Sequence, residues 1–154
     1  MKIRCIYNSG KDLQPYETKP FRNSNQFGRF GITPSGTYNE IKIGEEYLVM
    51  GLIVFETYQA YLIDCGGFVS ACPCQLFEII DNQLPSSWYF RSIGKDENMY
   101  PFIQALFGYP ELCLDKKAYE KLIVEKDNDA LRAYFKRKIE LEKTIEDNSL
   151  LNND

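Results

Sequence analysis

The residues of this 154-residue sequence with metal-ligand character are cysteines: Cys65, then Cys72 and Cys74 in a Cys-Pro-Cys run, with Cys5 far upstream. Thiolates suit zinc, but a structural zinc site joins two Cys knuckles, and here a single Cys-x-Cys has no second pair. The spacing also lacks the Cys-x-x-Cys that lowers a thiol pKa at a helix N-terminus. Cys65, Cys72 and Cys74 are therefore expected to be small core residues, a common fate of free cysteine, and no metal or cofactor is expected. The sequence contains no histidine, which excludes every Ser–His or Cys–His nucleophile and every imidazole ligand. Acid–base chemistry would fall to Asp, Glu, Lys, Tyr or Cys with shifted pKa values. Glu45 with Glu46, and Asp64 with Glu78, are the acidic pairs on offer, but a catalytic pair is defined by its separation in space, and acids near strand ends are usually solvated. Gly28-Arg29-Phe30-Gly31 and Pro34-Ser35-Gly36 lack the Gly-Lys-Ser/Thr that opens a helix in a phosphate-binding loop, so they are expected to be ordinary turns.

The strongest contact signal is Trp88-Tyr89-Phe90, which holds the only Trp. Aromatic side chains of this kind carry much of the energy of protein interfaces. Strand alternation places Trp88 and Phe90 on one face and Tyr89 on the other, so the side that is not core is a candidate contact surface. Charge points the same way. The net charge is −4, with 8 basic and 9 acidic residues up to Gly94 and 10 and 13 beyond it. Neither half has the cationic excess needed to neutralise phosphates, so nucleic acid is not an expected partner. Lys136-Arg137-Lys138 is flanked by Glu140 and Glu142, and pairing along an exposed helix explains it.

These groups must be positioned by a packed fold, which the 44% hydrophobic and 14% aromatic content can supply. Residues 1–94 punctuate as a β unit. Strands are predicted over Met1–Tyr7, Tyr38–Ile43, the apolar run Glu46–Tyr58 with a bend or bulge at Gly51, Ala60–Asp64, Phe68–Cys72, Gln75–Ile80 and Trp88–Phe90. Asn8–Thr37 is a long turn-rich stretch of the kind that serves as a lid or binding loop. Residues 95–154 read as helical and are expected to pack on the sheet as one cooperative domain. Pro101 and Gly108 bracket a helix over Phe102–Phe107, Asp115 caps Lys116–Lys126, and Asp127 or Asn128 caps a last helix to about Asp147. Leu131, Tyr134, Phe135 and Ile145 share one face, buried to about Ile139 with Leu131 and Phe135 against the β unit, and Ser149–Asp154 should fray. No apolar stretch reaches the length of a membrane span, and the first residues lack the apolar core of a signal peptide. An odd set of five cysteines fits free thiols in a reducing cytoplasm.

Two stretches resemble segments of small uncharacterised bacterial proteins: Leu76–Asp81 through Leu84–Phe90, and Gly108-Tyr109-Pro110-Glu111-Leu112 followed by Tyr119 and Ala130–Lys138. In that family an SH3-like β unit precedes a helical tail, and some members look like immunity proteins of bacterial toxin systems. The resemblance implies an α+β fold with a bent, antiparallel, SH3-like, partly open barrel followed by C-terminal helices. It carries over no catalytic residue. The expected function is a non-enzymatic protein-binding protein, an immunity-like inhibitor. The alternatives are an SH3-like module for peptide or nucleic acid, and a histidine-free enzyme using carboxylates.

Overall fold

The computed structural model describes residues 1–151. Its eight strands form two antiparallel sheets. In the smaller, β2 (Glu46–Leu48), β1 (Lys2–Cys5) and β6 (Phe77–Asp81) lie in that order. The larger runs β5 (Val69–Pro73), β4 (Gln59–Asp64), β3 (Gly51–Phe55), β8 (Ile103–Gly108) and β7 (Tyr89–Ser92). Helices α1 (Gly10–Leu13), α2 (Pro110–Leu114) and α3 (Asn128–Leu151) complete the chain, with a π-helical turn at Glu120–Glu125. The architecture is α+β, and the sheets form no closed barrel among the described residues. No described helix is long and apolar enough to cross a membrane.

The larger sheet is the middle of three layers. Ala60 and Leu62 of β4 enter one core with Ile53, Leu106, Leu112 and Tyr134 on the helical side. Tyr61 and Ile63 of the same strand enter a second core with Ile3, Tyr47 and Phe77 of the smaller sheet. A strand buried on both faces shows a continuous apolar run rather than alternation.

Five expectations need correction. The run from Glu46 to Tyr58 is two strands in different sheets, because the chain changes sheet at Val49 and Met50, whose N–H groups donate to Met1 (3.2 Å) and Leu62 (2.9 Å) carbonyls. Gly51 makes no bend; it sits opposite Gly108, and a Cβ on either would come within 2.8 or 2.9 Å of Leu112 Cδ2, so the two bare backbones form the seat of that side chain. Phe102–Phe107 is not a helix. Its residues from Ile103 form β8, paired with β3 on one side and β7 on the other. Pro101 and Gly108 sit where a helix start and stop would. So short a helix gains little by itself, and the segment satisfies its backbone on both sides within the sheet. Residue 94 therefore does not divide sheet from helix. Tyr38–Ile43, expected to be a strand, is a run of turns around buried Ile41.

The helical caps fall where the sequence puts them. Asp115 Oδ1 accepts the Lys117 N–H (2.9 Å), and Asp127 Oδ1 accepts those of Asp129 (3.1 Å) and Ala130 (3.0 Å) at the start of α3. Tyr134, fully buried, anchors α3, whereas Leu131 and Phe135 are only half-buried beside it. The helix continues through Ser149 to Leu151; residues 152–154 of the expected frayed end lie outside the described residues. Arg137 grips Glu111 with two nitrogens (2.9 and 2.7 Å), and Lys138 reaches Asp64 (2.6 Å), so two of the three cations in Lys136-Arg137-Lys138 are tied to the fold.

The Asn8–Thr37 stretch is closed at its ends and pinned at its middle. Ser9 bridges Thr37, and the Gly10 N–H donates to the Gly36 carbonyl (2.9 Å). Glu17 is buried, and its carboxylate accepts the Arg29 N–H (3.0 Å). A Cβ on Gly28 would fall 2.2 Å from Glu17 Oε1. The Gly28-Arg29 turn thus wraps the chain's own Glu17 side chain.

Candidate functional site

One register row crosses all five strands of the larger sheet: Phe90, Phe107, Leu52, Tyr61 and Cys72 lie opposite one another in turn. Facing residues in adjacent strands share a sheet face, so these side chains point to the same side. The smaller sheet covers only the β4–β5 end of that face. Tyr61 is 5% exposed and meets Phe77 edge-on at 5.9 Å, and Cys72 is fully buried. Toward β7 the cover ends. Leu52 and Phe107 are half-buried, and Phe90 is 67% exposed. Trp88 and Phe90 flank Phe107 in T-shaped pairs at 5.4 and 6.3 Å. Edge-to-face packing of this kind fixes the rings while leaving apolar surface open.

The structure therefore brings Trp88 and Phe90 together, as alternation requires, and places both toward the open side, with Trp88 half-buried. Tyr89 lies on the opposite, helical face and is still 47% exposed, because β7 is the sheet's edge. Its carbonyl accepts the Cys113 thiol at 3.2 Å. Two residues of the site, Phe107 and Leu52, went unnoticed in the sequence. The signal was present in Phe107, an aromatic at the end of a run rich in strand formers.

Cys5, Cys65, Cys72 and Cys74 lie around one core. Cys72 lies in β5, and Cys65 and Cys74 are half-buried beside the same core. A hydrogen bond with the Cys65 thiol, then burial, pushes the Cys72 thiol far above its ordinary value, and burial raises Cys74. Among the described residues no cluster of three or more Cys, Asp or Glu is arranged to hold an ion.

The acidic pairs are also accounted for. Arg4 lies between Glu46 (3.0 Å) and Glu78 (2.9 Å) across the smaller sheet, and Asp64 is taken by Lys138. A cleft of about 600 Å³ lies between α2, the π-helical turn and α3, with Tyr109, Leu122 and Ala130 in its wall. Its carboxylates are engaged elsewhere: Asp115 and Asp127 cap helices, Asp129 pairs with Arg132 (3.0 Å) and Glu111 with Arg137 (2.7 Å). Glu111 is held below its ordinary value, first by the Arg137 bond, and burial pushes Tyr109 up. The Arg137 bond thus favours the charged form of Glu111, and burial favours the neutral phenol of Tyr109.

What the arrangement can do is bind. An aromatic row of fixed geometry, apolar and open, suits the buried centre of a protein contact. No family model, curated protein or solved structure matches the chain.

Proposed function

We propose that this chain is a non-enzymatic protein-binding protein of the immunity type, which holds a bacterial toxin through the open aromatic row Trp88, Phe90 and Phe107. The reading treats the bent sheets as an opened SH3-like unit with a helical tail. It also assumes a reducing cytoplasm, which five free thiols support. The observation that carries it is Phe90, 67% exposed on a row whose other end is sealed. An exposed Phe90 beside half-buried Trp88 and Phe107 supports a surface that is covered in the working state. The net charge of −4 favours a basic partner, such as a nucleic-acid-degrading toxin.

Tagged wild-type protein and a Trp88→Ala/Phe90→Ala variant, recovered from the native host, test the reading. Wild type retains a partner at stoichiometric yield, the variant loses it while keeping a cooperative thermal transition, and the partner slows cell growth unless this chain is co-expressed. Equal retention by both proteins, or a partner without toxicity, overturns it.

A further inference from the structure

Strand β7 ends the larger sheet, and its backbone chemistry defines what can continue it. The Ile93 N–H donates to the Gln104 carbonyl at 2.9 Å. Antiparallel ladders alternate between hydrogen-bonded and non-bonded pairs. With Ile93–Gln104 bonded, Arg91–Leu106 and Tyr89–Gly108 are bonded too, and Phe90–Phe107 and Ser92–Ala105 are not. The N–H and C=O groups of Phe90 and Ser92 thus point away from β8, along the free edge. Tyr89, Phe90 and Ser92 are all exposed. Such an edge is a template for another strand, and proteins blunt edges by shortness, charge, proline or a bulge. β7 is short and carries Arg91, whose charge Glu97 compensates. Residues 89–92 contain neither Pro nor Lys, and the β7–β8 register runs without a shift.

We infer that two copies of this chain pair antiparallel through β7, joining their larger sheets into one continuous sheet about a two-fold axis. The strand is complementary to itself. With Arg91 on the axis, Phe90 of one copy faces Ser92 of the other, and each pair exchanges both of its N–H···O bonds. This register satisfies both outward residues of each copy, and it sets a bulky side chain against a small one. The two Arg91 side chains lie on the helical face, each neutralised by Glu97 of its own copy and largely shielded from solvent. Like charges that would oppose the pairing are therefore compensated before it forms. On the other face, the two aromatic rows meet across the axis as one wider apolar surface. The dimer rests on the backbone edge and leaves the aromatic face free, so it is independent of the toxin-binding reading.

Sedimentation velocity from micromolar to millimolar protein tests it, together with amide hydrogen exchange at both ends of that range. The mass should rise to twice that of the monomer. The Phe90 and Ser92 amides should slow with concentration, while the Arg91 amide, already bonded within each copy, does not change. Ser92→Pro removes an outward donor at a position where an edge tolerates proline, and Phe90→Lys places a charge on the edge. Each should weaken association by at least about tenfold, with the thermal midpoint of dilute protein unchanged. A monomer at millimolar concentration overturns the inference, as does a dimer whose Phe90 and Ser92 amides exchange at the monomer rate. A Ser92→Pro monomer that still captures the toxin separates the two proposals, since the aromatic face acts without the edge.

Discussion

Tyr61 and Phe90 stand in the same row of the same sheet, yet one is sealed beneath three strands and the other lies open. Their side chains are alike in size, and their strands differ only in position. What separates them is the cover: the smaller sheet, with Leu13, Phe30 and Ile41 from the turn-rich stretch, closes the β4–β5 end of the five-stranded neighbour and leaves the rest. Burial in this protein is decided by coverage between layers rather than by the apolar character of the residue. The covered end specifies the fold, and the open end is free to meet another molecule.

The largest effect is expected at the covered end. Tyr61→Ala should cost roughly 3 to 5 kcal/mol, as for other buried aromatics, read as a lowered urea midpoint at unchanged slope. A shift no larger than that of a surface residue would break the comparison. Next comes the seat of Leu112 on the helical side of the sheet. Gly51→Ala should cost about 1 to 3 kcal/mol by overpacking against that side chain, and a Gly51→Ala/Leu112→Ala double variant should fall short of the sum of the single losses.

A smaller effect is expected at the Glu111–Arg137 pair. Glu111 titrates below its ordinary 4.5, because the Arg137 bond favours its charged form. A carboxylate depressed on folding contributes stability that is complete above its unfolded pKa and is lost as pH falls through the folded value. Stability should therefore hold steady down to about pH 4.5 and decline below it, more gently in Glu111→Gln. Both side chains are a third or more exposed, so screening limits the difference to about 1 kcal/mol or less. Thermal melts of both proteins between pH 2 and 7 would measure it. The smallest effect belongs to the open end: Phe90→Ala should change the stability of dilute protein by less than about 0.5 kcal/mol. A loss close to that of Tyr61→Ala would show that the two ends of the row are not different after all.

Much of this was legible in the sequence where a local signal sufficed. Asp115 and Asp127 announced helix starts because an N-cap needs only a side-chain oxygen within reach of the next amides. Ala60–Asp64 and Gln75–Ile80 showed themselves as strands within a residue or two, and Gly66-Gly67 as the turn between β4 and β5, where both residues have positive φ. β8 was misread because a six-residue strand buried on both faces has no period of two, and its helix-like brackets are meaningful only without β3 and β7 beside it. At the candidate site, alternation correctly set Trp88 and Phe90 together. Which face stayed open depends on residues 2–5, 46–48 and 77–81 arriving from elsewhere in the chain, and no window around Trp88 contains that information.

The side chain of Glu17, bound by the Arg29 N–H, closes a loop of eleven residues whose stretch from Thr18 to Phe27 is mostly exposed. A loop clamped at its neck is a natural insertion port. Arg22 donates to the Pro15 and Glu17 carbonyls and the Asn23 N–H to Gln14 Oε1, so length added beyond Asn23 leaves those ties in place. Each doubling of its length costs only about 0.6 kcal/mol in closure entropy. A fluorescent or affinity domain spliced between Ser24 and Asn25 would ride on the side chain of Glu17, leaving both sheets undisturbed.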